Sequence, residues 1–72
     1  MDKTLQKVFT AEIEKDDDSF YIIRCHEHLE LVTQGKTIEE AIYMMKDLIS
    51  FALKLSEFQL RIIISENTTS QL

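Results

Sequence analysis

Four consecutive residues, Cys25-His26-Glu27-His28, bring together a thiol, two imidazoles and a carboxylate. All three kinds of group can bind zinc. In an extended strand, however, His26 and His28 would lie on one face and Cys25 on the other. The chain has no further cysteine or histidine to complete a tetrahedral site. We therefore predict no metal site within one chain. A site to which two chains each contribute His26 and His28 stays open.

Catalysis is not expected from the other reactive groups either. A nucleophilic Cys25 would need a histidine base and a third group to orient it, and its apolar neighbours instead indicate a buried, inert thiol. The run Asp16-Asp17-Asp18 offers carboxylates, but a two-metal nuclease site gathers them from separate strands into one cleft. Consecutive residues in a turn point in different directions. The sequence therefore predicts a protein without enzymatic activity, cofactor or bound metal.

The carboxylates suit binding better than catalysis. Glu12 and Glu14 share the polar face of the first predicted strand, and with Asp16, Asp17 and Asp18 they form what we call the acidic ridge. The whole chain carries 13 acidic and 8 basic residues, a net charge of −5. Such a charge repels nucleic acid and favours a basic partner protein. We predict that the acidic ridge steers a basic protein into contact, a merely solubilising surface being the alternative.

Apolar and polar residues alternate on both sides of the aspartate run, a pattern that predicts a β-hairpin. One face of the hairpin is the predicted core face, which carries Phe9, Ala11, Ile13, Tyr21, Ile23 and Cys25. Phe20 and Ile22 lie on the opposite face, followed by Arg24 and His26. Since one helix cannot cover both faces of a small sheet, we predict that Phe20 and Ile22 mediate self-association.

The segment after the hairpin predicts a short strand, a turn and a helix. The strand is expected at residues 30–33, and the only glycine, Gly35, follows it. This glycine indicates either a positive φ or a close approach of two backbone segments. Thr37 is the predicted N-cap, with Glu40 as its capping-box partner. From Ile38 onward, apolar residues recur at spacings of three and four, as in an amphipathic helix, and FQLRIIIS then predicts a last strand.

These elements predict an α+β fold of two layers in the order β-β-β-α-β, with a mainly antiparallel sheet and one helix packed on one face. The chain is predicted to be a single domain over residues 1–72, with a core at 8–65 and a polar, mobile tail at 66–72. Domains this short bury only about 60% of their unfolded surface. A single cysteine excludes an internal disulfide, so we expect a homo-dimer or larger homo-oligomer.

No signal peptide or run of ~20 apolar residues is present, which predicts a cytoplasmic protein without membrane contact.

The hairpin FTAEIEKDDDSFYIIRC, the turn TQGKTIEEA, and the helix and strand that follow resemble the HicB family. These proteins are the antitoxins of bacterial and archaeal HicAB toxin–antitoxin modules. The resemblance covers about residues 8–65. Its most specific part is TQGKTIEEA, in which the residues that match the family pattern are Thr33, Gln34, Gly35, Thr37, Glu40 and Ala41.

The resemblance implies a partial ribonuclease H-like fold without ribonuclease activity. It also implies that the chain neutralises a small basic, RNA-cleaving toxin of the HicA type by covering the active surface of that toxin. Longer antitoxins of the family carry a DNA-binding domain after the closing strand, so we expect no operator binding by this chain alone. The alternative is an orphan HicB-like module without a toxin, which acts as an oligomeric accessory protein.

Overall fold

A computed structural model describes residues 7–65 and shows four strands and one helix in the predicted order. The elements are β1 at Lys7–Lys15, β2 at Tyr21–Cys25, β3 at Val32–Gly35, α1 at Ile38–Leu53 and β4 at Phe58–Ile64. The predicted mobile tail at 66–72 lies outside the described residues. The fold is α+β, with α1 packed on one face of a mainly antiparallel sheet, as the sequence predicts.

The strands lie in the order β3-β2-β1-β4. β2 is antiparallel to both β1 and β3, whereas β4 is parallel to β1. The parallel pair follows from the connection, because α1 returns the chain to the end of the sheet at which β1 starts. β4 can then add to the outer side of β1, so that β3 and β4 form the two edges of the sheet.

One face of the sheet forms the core with α1. The helix contributes Ala41, Met45 and Ile49, which recur every four residues and are fully buried. They pack with the predicted core residues of the hairpin, of which four are fully buried: Ala11, Ile13, Ile23 and Cys25. Tyr21 is only half-buried, at the margin of this core. The alternating apolar residues of the hairpin thus pack against the apolar residues that recur every four positions in α1. Hydrophobic burial between these two layers contributes most to the stability of the fold.

The third strand differs from its predicted position. It begins at Val32 rather than at residue 30 and includes Gly35. The two preceding residues belong to a turn that the Leu31 N–H closes by donating to the His28 carbonyl at 2.9 Å. Leu31 is buried and its own carbonyl accepts from the Cys25 N–H at 3.1 Å. This turn links β2 to β3, and strand pairing starts only after it.

Gly35 is required for close packing and not for a positive φ, since no glycine of the described chain has one. It pairs with Tyr21 across β2 and β3. A Cβ atom at this position would lie 2.5 Å from the backbone N of Ala41 and 2.9 Å from the carbonyl C of Glu40. The last residue of β3 therefore touches the first turn of α1, which leaves no room for a side chain.

The helix begins at the predicted cap. The Thr37 Oγ1 accepts from the Glu40 N–H at 3.0 Å. The Glu40 carboxylate in turn accepts from the N–H of Lys36 at 2.7 Å, one residue before the cap, where a standard capping box would use the cap residue itself. α1 ends at Leu53, and the C-cap residue Lys54 adopts a left-handed conformation with φ 56°. Among the described residues, no helix has the length and apolar character needed to cross a lipid bilayer.

Candidate protein-binding face

The face of the sheet opposite α1 is called the open face, because no described element lies on it. Strand pairing and the alternation of side chains place on this face Val8, Thr10, Glu12, Glu14, Ile22, Arg24, Val32, Gln34, Gln59, Arg61 and Ile63. At its centre, a shallow depression of about 110 Å³ is lined by Glu12, Glu14, Ile22, Arg24 and His26. Small-molecule sites occupy roughly 300–1,000 Å³, so the open face is better suited to contact another protein.

Glu12 has a partner within the chain. Its Oε1 lies 3.1 Å from Nε2 of His26, and both side chains are more than 40% exposed. Arg24 is its register partner across the β1–β2 pair. A side-chain contact this exposed contributes only about 0–1 kcal/mol. Its main consequence is local, because the charge of Glu12 is offset by neighbouring groups and the acidic ridge is weaker at this end.

Asp16 has a structural role in the hairpin turn. Its Oδ1 accepts from the backbone N–H of Asp18 at 2.8 Å and from that of Phe20 at 3.1 Å. Its own N–H donates to the Phe20 carbonyl at 2.9 Å. This arrangement is an Asx turn, in which a short carboxylate side chain replaces backbone hydrogen bonds. Ser19, at φ 71°, provides the left-handed residue of the turn.

The acidic ridge therefore has two kinds of members. Glu12 and Asp16 bond within the chain, whereas Glu14, Asp17 and Asp18 are exposed around the β1 end and the turn tip. The exposed carboxylates can act on a partner at a distance, because long-range attraction depends on charge and not on a fixed contact.

Phe20 and Ile22 occupy different settings. Ile22 is half-buried on the open face, in register with Glu14. Phe20 is also half-buried, but it precedes β2, and its backbone N–H and carbonyl both bond to Asp16. The two residues stay neighbours along the chain at the turn end of the hairpin, and their predicted part in self-association is a proposal.

The segment that begins at Cys25 lies at the end of the β1–β2 pair and satisfies backbone groups there. The Cys25 thiol is fully buried and donates to Oε1 of Glu27 at 3.6 Å. The same oxygen accepts the backbone N–H of Thr10 at 2.8 Å. This N–H lies where the β1–β2 ladder would continue, and the carboxylate satisfies it in place of a strand carbonyl.

The pKa values of this pair reflect the same geometry. The hydrogen bond from the Thr10 N–H lowers the pKa of the Glu27 carboxyl below its ordinary value. Burial raises the pKa of the Cys25 thiol. The thiol is therefore protonated at neutral pH and hydrogen-bonds to a carboxylate, and this arrangement stabilises the end of the strand instead of producing a nucleophile.

The expectation that His26 and His28 share a face is wrong, because the chain leaves the strand conformation after Cys25. His26 turns to Glu12 beside the open face. The ring of His28 instead packs against the core residue Phe9, with centroids 5.9 Å apart. Within residues 7–65, no group of three or more histidine, cysteine or acidic side chains is arranged to hold a metal ion.

Comparison with protein-family models, with curated proteins and with solved structures gave no match to this chain.

Sequence reasoning named His26 and Glu27 but missed the contacts that they make. The alternation in β2 already places Arg24 and His26 beside Ile22, but it does not reveal that His26 bonds to Glu12, which lies 14 positions earlier. The sequence offered Glu27 only as a possible metal ligand, because its bond to the Thr10 N–H depends on where Thr10 lies after the hairpin has formed. Both contacts are non-local, and no periodicity within one strand reports them.

Proposed function

We propose that this chain is a HicB-like antitoxin domain that binds a small basic, RNA-cleaving protein of the HicA type and blocks its active surface. The proposal rests on the structure of the TQGKTIEEA segment, the most specific part of the family resemblance. Gly35 packs against the first turn of α1 and Thr37 caps that turn, within the element order that the family resemblance implies. The proposed role is binding, without catalysis or a cofactor.

Charge supports a basic partner. The chain carries a net charge of −5, and Glu14, Asp17 and Asp18 are exposed at one end of the hairpin. Complementary charge accelerates encounter between proteins, whereas the lifetime of the complex depends mainly on close apolar contact. Ile22 and Ile63 on the open face provide apolar area for that contact. Inhibition would follow from steric coverage of the toxin.

The proposal is tested by purifying the tagged chain from its native host at moderate salt and identifying its partners by mass spectrometry. We expect a stoichiometric small basic protein that cleaves RNA when alone and is inhibited when the chain is added back. The informative variant reverses three exposed charges of the acidic ridge, Glu14→Lys, Asp17→Lys and Asp18→Lys. We expect it to weaken binding at least tenfold, chiefly through slower association.

The matched control reverses three other exposed acidic residues, Glu30→Lys, Asp47→Lys and Glu57→Lys, and changes the net charge equally. It should bind more tightly than the ridge variant. Equal weakening by the two variants would show that only net charge matters and would remove the acidic ridge from the interface. Absence of any small basic partner, in cells that express the neighbouring genes, would contradict the antitoxin function.

The alternative function is that of an orphan HicB-like oligomeric accessory module. It is favoured by the apolar side chains of the open face, since Val8, Val32 and Ile63 are between 37% and 46% exposed. Such a surface fits a second copy of the chain as well as a toxin. Recovery of a homo-oligomer as the sole product of the same purification would favour this module.

A further inference from the structure

Within residues 7–65, β4 forms an edge of the sheet that no other element pairs with. It pairs with β1 on one side, and no described strand lies beyond it. Its seven residues, Phe58–Ile64, make it longer than the opposite edge strand β3, which has four. A long edge strand presents a row of backbone donors and acceptors that can pair with another strand.

The hydrogen bonds to β1 show which backbone groups face outward. The Ser65 N–H donates to the Ile13 carbonyl at 2.7 Å. Because successive residues of a strand point their N–H and C=O groups to opposite edges, Arg61 and Ile63 also point to β1. The backbone groups of Leu60, Ile62 and Ile64 therefore point away from the sheet.

β4 lacks the kinds of residue that usually prevent an edge strand from pairing with a strand of another chain. The strand contains no proline and no lysine, and Arg61 is its only charged residue. Its last three residues are isoleucines, of which Ile63 is 45% exposed and Ile64 is 54% exposed. Protected edges instead carry charges, prolines or bulges. Apolar residues at such an edge indicate a surface that becomes covered.

We propose that β4 pairs antiparallel with β4 of a second copy of this chain, joining the two four-stranded sheets into one. A second copy fits because the edge is complementary to itself. Around a two-fold axis, the side chains of Leu60, Ile62 and Ile64 meet their counterparts on the α1 side of the sheet. α1 packs mainly over β3 and β2, so it covers this row only in part: Leu60 and Ile62 are half-buried against the core, and Ile64 is 54% exposed.

Arg61 and the apolar row together select the register of the pair, because only an axis at Ile62 matches Leu60, Ile62 and Ile64 with one another. A two-fold axis at Arg61 would set the two arginines directly opposite each other, which is destabilising. An axis at Ile62 pairs Ile62 with Ile62 of the second copy and Leu60 with Ile64, and it sets Arg61 against Ile63. The outward-pointing backbone groups then form the hydrogen-bonded pairs of an antiparallel ladder. We infer that the axis lies at Ile62.

This interface does not depend on the antitoxin function, and it differs from the surface around Phe20 and Ile22. Ile22 lies on β2, which is separated from β4 by β1. Pairing through β4 would join two sheets edge to edge, whereas contact through Ile22 would join them through the open face.

Cysteine cross-linking in the Cys25→Ala background tests the register. Opposed residues of an antiparallel pair lie about 4.5–5.5 Å apart between Cα atoms, within disulfide range, whereas diagonal neighbours lie about 7–8 Å apart. Under mild oxidation, Ile62→Cys should therefore form covalent dimers by itself. Arg61→Cys should form them only when mixed with Ile63→Cys chains. Efficient self-linking by Arg61→Cys, or none by Ile62→Cys, would overturn the proposed pairing.

Light scattering of uncross-linked protein gives an independent test. Ile64→Lys places a charge in the apolar row, and we expect it to reduce the mass of the assembly by about half while circular dichroism shows the fold retained. Leu29→Lys makes the same change at a 63% exposed loop position outside both proposed self-association surfaces and should leave the mass unchanged. A monomeric wild-type protein, or equal masses for wild type and Ile64→Lys, would contradict the interface.

Discussion

Gly35 shows how one residue joins the two layers of the fold. It is buried at the end of β3, and its Cα faces the backbone of Glu40 and Ala41 rather than their side chains. Backbone atoms in the first turn of a helix cannot rotate away as a flexible side chain can. Contact between β3 and α1 therefore depends on the absence of a side chain at this position.

We predict that Gly35→Ala destabilises the protein by about 1–3 kcal/mol, the usual cost of forcing extra atoms into a packed core. Urea unfolding followed by circular dichroism measures the change. Gln34→Ala, at the exposed neighbouring position on the same strand, serves as the control and should change stability by less than about 0.5 kcal/mol. If the two variants were equally stable, the close approach to Ala41 would not constrain the fold.

At the scale of an element, the start of α1 is fixed by reciprocal hydrogen bonds. Thr37 binds the N–H of Glu40, and Glu40 binds the N–H of Lys36. Two backbone donors that the helix cannot satisfy are thus paired. Glu39 and Glu40 also place negative charge at the positive end of the helix dipole. The cap sets where the helix begins, and hence how Ala41, Met45 and Ile49 face the sheet.

Thr37→Ala should cost about 0.5–2 kcal/mol, since the Glu40 N–H loses its side-chain acceptor. Denaturant unfolding of the two proteins under identical conditions gives this difference. Thr37→Ser keeps the hydroxyl group and should retain most of the stability. A Thr37→Ala protein as stable as wild type would show that water replaces the hydroxyl without loss.

At the scale of the whole molecule, one sheet face is covered and the other is not. α1 buries the first face, whereas the open face combines exposed charges with half-exposed apolar side chains such as Ile22 and Ile63. A thin domain of this size gains stability when such a surface is covered. The proposed toxin would cover the open face, whereas a second copy paired through β4 would cover one edge of the sheet.

The pair of changes Phe20→Asp and Ile22→Asp tests self-association through the hairpin. We expect the double variant to form a smaller assembly than wild type with its helix content retained, because two charges would be desolvated at any apolar contact there. Light scattering and circular dichroism report the two properties. Leu29→Asp, at a 63% exposed loop position, is the control and should not alter the mass. An unchanged mass for the double variant would exclude Phe20 and Ile22 from the interface.

The sequence by itself determined the features that depend on neighbours along the chain. The alternation in Phe9, Ala11 and Ile13 predicted a core-facing strand, and Thr37 with Glu40 predicted the helix start. The element order and the single covered face follow from these local patterns, because strand and helix periods and caps are set within a few residues. The shared face of Ile22, Arg24 and His26 could also be predicted in this way.

Only the tertiary structure decided the features that depend on distant segments. It placed β4 parallel to β1 at an open edge, bonded His26 to Glu12, and turned His28 away to Phe9. It also decided that Gly35 serves close packing and not a positive φ. The physical reason is the same in each case. Strand pairing and packing bring together residues far apart in the chain, and local periodicity carries no information about which strands become neighbours.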